Sequence, residues 1–225
     1  MLSFVSHELR NPIGSAMLNA QLLLDGDCGE LNAEQREVAE LIAGNLRYLE
    51  EMTEGYLQLA RIERGEFEAH PRIVRVLADI IDPVRRRLDG AARAKNMLIE
   101  VRIPDDLRCH ADPDLIRVVY ENLIGNAIKY GRVDGVITLE ARADNNRLEL
   151  SVWNEGKPIS PERLPHIFNK FQRYDVEENT GKSGTGLGLF IVKQIIDQHG
   201  GTIRAESSEV EGTRFTFILS PALDP

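Results

Sequence analysis

The feature that most constrains this chain is a change of hydrophobic period near residue 65. From Leu2 to Leu24 apolar side chains recur at Leu2, Val5, Leu9, Ile13, Ala16, Met17, Ala20 and Leu23, steps of three and four that line one face of a single helix. Asp25-Gly26-Asp27-Cys28-Gly29 interrupts the run. Asn32, with Gln35 three residues on, forms a variant capping box that opens a second helix. Along that helix Ile42, Asn45, Leu49, Met52, Tyr56 and Leu59 trace the seam of a bundle, not the stripe of a surface helix. Two helices cannot enclose such seams alone, so the spacing predicts a homodimeric four-helix bundle.

Between Gly65 and Pro71 the helical pattern stops, which places a domain boundary there: residues 1–67 helical, residues 72–225 a mixture of helices and strands. The pattern predicts a helix over 74–94 and a strand over Leu98 to Ile103. Asp112-Pro113 reads as an N-cap with proline at the first helical position, opening a helix that runs to Tyr130. Two strands, Gly135 to Ala143 and Arg147 to Asn154, are joined through Asp144-Asn145-Asn146 as a hairpin. A loop-rich stretch from Gly156 to Thr185 leads to a helix over Gly186 to His199, closed by Gly200-Gly201, and two further strands end the chain. The class is therefore α+β, a helical hairpin followed by an α/β unit.

Composition removes several functional classes. With 42% hydrophobic and 28% charged residues the chain can bury a core and is not a disordered segment. A net charge of −9 opposes any broad grip on nucleic acid or on an anionic membrane. Cys28 and Cys109 are far apart and in no metal-ligand spacing, so they read as plain thiols in a reducing compartment. No run reaches the ~20 apolar residues of a membrane span, and Met1-Leu2-Ser3 enters the helical pattern without the form of a signal peptide. The expectation is a soluble, cytoplasmic piece of a longer protein, preceded by a sensing region.

The chemistry-bearing residues lie in separate runs. His7 stands between Val5 and Leu9, and at ~100° per residue it faces away from the stripe they share. Its neighbour Glu8 has the chemistry to accept a ring proton as the imidazole attacks an electrophile. Pro12 deletes one helical hydrogen bond just beyond. By spacing alone such a pair is more often a solvated surface pair. The run Phe4-Val5-Ser6-His7-Glu8-Leu9-Arg10-Asn11-Pro12-Ile13, however, resembles the H box of bacterial sensor histidine kinases. The resemblance implies that His7 is phosphorylated, that Glu8 is the base, and that Asn11 assists removal of phosphate from the partner.

Asn122, Asn126 and Lys129 fall within roughly 60° of one another on their helix, a polar strip able to meet phosphates or simply water. The string from Asn122 to Tyr130 resembles the same family's N box, in which Asn126 would hold Mg²⁺ and Lys129 would offset phosphate charge. Gly131 replaces the usual hydroxyl residue. Gly184-Thr185-Gly186-Leu187-Gly188-Leu189 runs into a helix, a form that lets backbone N–H groups approach phosphate oxygens but also serves as a plain hinge. It resembles the second glycine box. Phe168, Phe171 and Arg173 resemble the phenylalanine box, where ordinary core packing is the bland alternative, and Tyr174 to Ser183 would be the nucleotide lid. Gly212-Thr213 resembles the terminal glycine box, with Thr213 near adenine. His70, His110, His166 and His199 match no motif and read as structural or solvated.

One run departs from the pattern. In Trp153-Asn154-Glu155-Gly156-Lys157-Pro158-Ile159 the first glycine box carries Asn154 where the family has an aspartate for the adenine amino group, and Pro158 replaces its second glycine. A neutral acceptor gives up charge assistance worth on the order of 1 kcal/mol. Taken together, the resemblance implies a dimerising helical hairpin joined to an α/β sandwich of the GHKL (Bergerat) ATPase type, using ATP and Mg²⁺. It further implies autophosphorylation of His7 and transfer to the aspartate of a response regulator receiver domain, with no nucleic acid partner and no membrane contact by this segment. Two alternatives stay open, a degenerate kinase acting as a scaffold or as a response-regulator phosphatase, and a non-enzymatic helical interaction module.

Overall fold

The computed structural model describes residues 2–65, 68–144, 147–172 and 184–220, with the backbone alone for residues 2–7 and 144. These residues form two compact units. One holds the N-terminal hairpin with the described residues between Lys170 and Leu187; the other holds residues 68–169 and 188–220.

The hairpin is α1 (Leu2–Asp25) followed by α2 (Ala33–Glu63). The capping box is complete: the Gln35 N–H donates to Asn32 Oδ1 at 2.8 Å, and Gln35 Oε1 accepts the Asn32 N–H at 3.0 Å, so two orphan donors are satisfied reciprocally. Pro12 lies inside α1, and without an N–H it leaves the Glu8 carbonyl lacking its usual helical donor. Ile13 and Ala20 of α1 and Ala39, Ala43 and Leu59 of α2 are buried. Much of the apolar seam is not: Leu9, Ile42, Leu49 and Tyr56 stay exposed within the chain.

The second unit is built on a five-stranded sheet ordered β2-β4-β5-β7-β6, with β2 (Leu98–Arg102), β4 (Val136–Asp144), β5 (Arg147–Asn154), β6 (Thr202–Ser208) and β7 (Gly212–Leu219). β2 and β4 are parallel and every other pair is antiparallel. The parallel pair requires a crossover, and α4 (Pro113–Tyr130) lies in it. With α3 (Asp82–Arg93) and α5 (Gly188–Gln198) it forms the helical layer. Inward-facing Leu148, Leu150 and Val152 of β5 and Phe215, Phe217 and Leu219 of β7 alternate along their strands and are buried, as period-two packing requires. From α4 come Ile116, Val119, Tyr120, Leu123, Ile124 and Ala127, and the Tyr120 ring meets Phe217 edge-on at 5.4 Å. The opposite face of the sheet is charged: Glu140 accepts from Arg214 at 2.7 Å and from Arg102 at 3.1 Å, and Glu149 pairs with Arg204 at 3.3 Å.

Two readings of the sequence need correction. A short strand β1 (Arg72–Arg75) pairs antiparallel with β3 (Arg108–Ala111) where helix was expected from 74, and a π-helical stretch, Val76–Ile81, then leads into α3. Val74 is buried opposite Cys109. β1 itself, Arg72-Ile73-Val74-Arg75, sets two apolar residues side by side and shows no period of two, so its sequence did not mark it as a strand. The last helix begins at Gly188, not Gly186.

Candidate functional site

In the sheet unit α4 is pinned at its start. Asp112 Oδ1 accepts the N–H groups of Asp114 and Leu115, at 3.0 and 3.2 Å, and Oδ2 accepts that of His70 at 3.0 Å. Burial favours the neutral acid, but these donors outweigh it and hold the Asp112 carboxyl below the usual carboxylate range. The Asp112 N–H donates to His199 Nε2 at 3.0 Å, while His199 Nδ1 sits 2.7 Å from the Ile195 carbonyl. An accepting Nε2 requires the proton on Nδ1. His199 is thus a structural tie between the start of α4 and the end of α5.

Asn122, Asn126 and Tyr130 follow at i, i+4 and i+8, on one face of α4. Asn122 Nδ2 donates to the Val118 carbonyl at 2.8 Å, and its Oδ1 lies so close to Gly188 that a Cβ there would collide with it. At the other end Gly131 bridges to Gly156, and the Arg132 N–H donates to the Glu155 carbonyl at 2.8 Å. A Cβ on Gly131 would strike the Ala127 carbonyl and Met97 Cε, and one on Gly156 would lie 2.7 Å from the Tyr130 carbonyl. That close approach accounts for glycine at 131, in place of the hydroxyl residue usual in the motif it resembles. One face of α4 therefore runs from Gly188 to Gly156 with Asn126 midway. Lys95, which sequence reasoning missed, donates to the carbonyls of Ile128 at 2.7 Å and Lys129 at 3.1 Å, capping the C-terminus of α4 with positive charge. The Lys129 ammonium lies 5.0 Å from the Tyr130 ring centroid.

Asn154 ends β5, buried, opposite the equally buried Thr213 of β7. Its Nδ2 donates to the Glu155 carbonyl at 3.0 Å, which leaves the amide oxygen as the acceptor. An aspartate would set a carboxylate oxygen against that carbonyl, so the amide suits this loop. The Ile159 N–H donates to Ser207 Oγ at 2.9 Å, and Ser207 Oγ is 2.7 Å from Thr213 Oγ1. Ser207 was also missed; its only trace in the sequence is the alternation Ile203, Ala205, Ser207. Phe168 packs edge-on against Phe215 at 6.3 Å, the bland reading of that residue. Leu189 lies in the first turn of α5.

In the hairpin unit His7 occupies the second turn of α1, its side chain outside the described residues. Glu8 and Asn11 are exposed, and Arg10 pairs with Glu54 of α2 at 3.3 Å. The Phe171 N–H donates to the Gly186 carbonyl at 3.0 Å, and the Phe171 ring lies 5.9 Å from that of Tyr56. Lys170 pairs with Glu63 at 2.6 Å. Thr185 Oγ1 accepts the Leu187 N–H at 3.2 Å, Gly184 precedes it half-buried, and Leu187 is fully buried. Arg173 and the expected lid, Tyr174 to Ser183, lie outside the described residues.

Among the described residues no group of three or more His, Cys, Asp or Glu side chains could hold a metal by itself. The Asn126 amide offers one hard, neutral oxygen, a donor set that fits Mg²⁺ taking its other ligands from phosphate and water. Cys109 is no nucleophile, because burial pushes its thiol up to about 12. No helix among the described residues is long and apolar enough to cross a membrane.

Residues 1–65 match the His Kinase A (phospho-acceptor) domain, and residues 111–223 match the histidine kinase-, DNA gyrase B-, and HSP90-like ATPase domain. The chain belongs to the sensor histidine kinases. It is 30% identical over 219 residues to the sensor histidine kinase CusS of Escherichia coli O6:H1, covering 96% of this chain and 44% of CusS. With the sensor-like histidine kinase SenX3 of Mycobacterium tuberculosis H37Rv it shares 33% identity over 222 residues, 97% of this chain and 52% of SenX3. The crystal structure of full-length ShkA in complex with AMPPNP superposes with a TM-score of 0.71 at 26% identity, covering all of this chain and 46% of ShkA. The chain thus spans about half the length of these three proteins. As a histidine kinase core it has the expected architecture, a helical region followed by an α/β sheet unit of the GHKL type.

Proposed function

We propose that this kinase core binds ATP with Mg²⁺, phosphorylates its own His7 and passes the phosphoryl group to the aspartate of a response regulator receiver domain. The observation that carries this reading is the face of α4 that links Gly188 to Gly156 through Asn126, beside the buried pair Asn154 and Thr213. Asn154 Oδ1 would accept from the adenine amino group, Thr213 and Ile159 would flank the base, and Lys129 with Asn122 would meet phosphate oxygens. The resemblance assigns the amides from Gly184 to Leu189 to the phosphates and Phe171, Arg173 and Tyr130 to nucleotide binding. Mg²⁺ bound at Asn126 would neutralise charge on the phosphates. His7 would attack the γ-phosphorus while Glu8 takes the ring proton; the new P–N bond replaces the P–O bond to ADP, which leaves. Asn11 would serve dephosphorylation of the regulator.

The same reading makes the hairpin a homodimer, since Ile42, Leu49 and Tyr56 need a second copy to cover them, and places the segment in the cytoplasm. Incubation with γ-labelled ATP and Mg²⁺ should give acid-labile, alkali-stable label on the protein and none on His7→Gln, whose nucleotide affinity should be unchanged. Absence of label on the folded, dimeric wild type would favour the scaffold or phosphatase reading.

A further inference from the structure

We propose that Ser207 is a positioning residue of the base pocket, tying the loop after Asn154 to Thr213; this rests on reading the Asn154 end of the sheet as the site of the adenine. Three adjacent strands carry apolar stripes on the face that packs against the helices: Leu148, Leu150 and Val152 on β5, Leu219, Phe217 and Phe215 on β7, Ile203 and Ala205 on β6. All three stripes end in a polar residue at the same register: Asn154 pairs with Thr213, and Thr213 with Ser207. Directly paired residues share a face of a sheet, so the three form one polar row at the end of an apolar floor. Ile137 of β4 pairs with Asn154 and continues the row as an apolar neighbour.

Burial makes this row costly unless it is bonded. Asn154 is 5% exposed and Thr213 6%, and a buried hydroxyl or amide without a partner is destabilising. Ser207 meets the requirement for two groups at once. One lone pair takes the Ile159 N–H, which fixes the backbone of the loop that Pro158 enters, and the remaining proton or lone pair engages Thr213. With Asn154 Nδ2 engaged by the Glu155 carbonyl, the row keeps an amide oxygen and a threonine hydroxyl for an incoming base. Ser207 touches neither the base nor the reacting atoms; it sets where Thr213 and Ile159 stand.

Loss of two neutral hydrogen bonds that align the base predicts about a tenfold loss of ATP affinity. In the full chain, Ser207→Ala should raise the KM for ATP about tenfold in autophosphorylation with kcat unchanged, lower the preference for ATP over GTP by a similar factor, and be rescued by Ser207→Thr. An unchanged ATP-to-GTP ratio in the folded alanine variant overturns the proposal, because a merely structural serine would not move it. Should that variant fail to fold, hydrogen exchange on the wild type decides: a protected Ile159 amide supports the tie and a rapidly exchanging one overturns it. A wild-type chain that binds no ATP overturns the proposed function and this inference together.

Discussion

The hairpin and the sheet unit solve the burial of apolar surface differently. In the sheet unit Leu139, Leu148, Leu150 and Phe217 are fully buried by the unit's own strands and helices. In the hairpin, large side chains of the seam remain open: Leu9 is 44% exposed and Ile42, Leu49 and Tyr56 are each 47% exposed. A sheet with one helical layer closes its core within one chain, whereas two helices present more apolar circumference than they can cover. The sheet unit should therefore behave as a self-sufficient fold, and the hairpin as half of one.

That contrast is easiest to break at its strongest point. Phe217→Ala removes a ring packed on Tyr120 and should cost about 3–5 kcal/mol of unfolding free energy in the sheet unit at any protein concentration, as read by denaturant titration. A loss below about 1 kcal/mol would deny that this unit is closed on itself. Ile42→Asp acts on the open seam: it should leave the fold of the single chain intact but weaken self-association about a hundredfold, measured by sedimentation. Equal association of the variant and the wild type would remove the reason for assigning this face to a second copy.

The smallest effect lies on the charged face of the sheet. The hydrogen bond from Arg214, opposed by partial burial and aided by Arg102, holds the Glu140 carboxyl below the usual carboxylate range. A carboxylate depressed in the folded state contributes stability that is present above its unfolded pKa and is lost as pH falls through the folded value. Glu140→Gln should thus cost about 1 kcal/mol at neutral pH, an amount limited by solvent screening around the exposed Arg102. At acid pH, where the wild-type carboxyl is protonated, thermal melts of the two proteins should converge.

The sequence by itself determined what repeats locally. The spacing of Ile13 and Ala20, the Asn32–Gln35 box, the Asp112-Pro113 cap and the alternation along β5 and β7 each report a period or a hydrogen bond within a few residues, so those elements and their order were legible. The runs around His7 and Asn126 are continuous, so their resemblance to family motifs was equally legible. Tertiary structure alone decided what depends on distant partners: the β1–β3 pair, the tie from Asp112 to His199, Lys95 on the end of α4, the need for glycine at 131, and Ser207 beside Thr213. Those residues carry no local signature, because the groups that give them a role lie dozens of positions away or on another strand, and only the register of the folded sheet brings them within hydrogen-bonding reach.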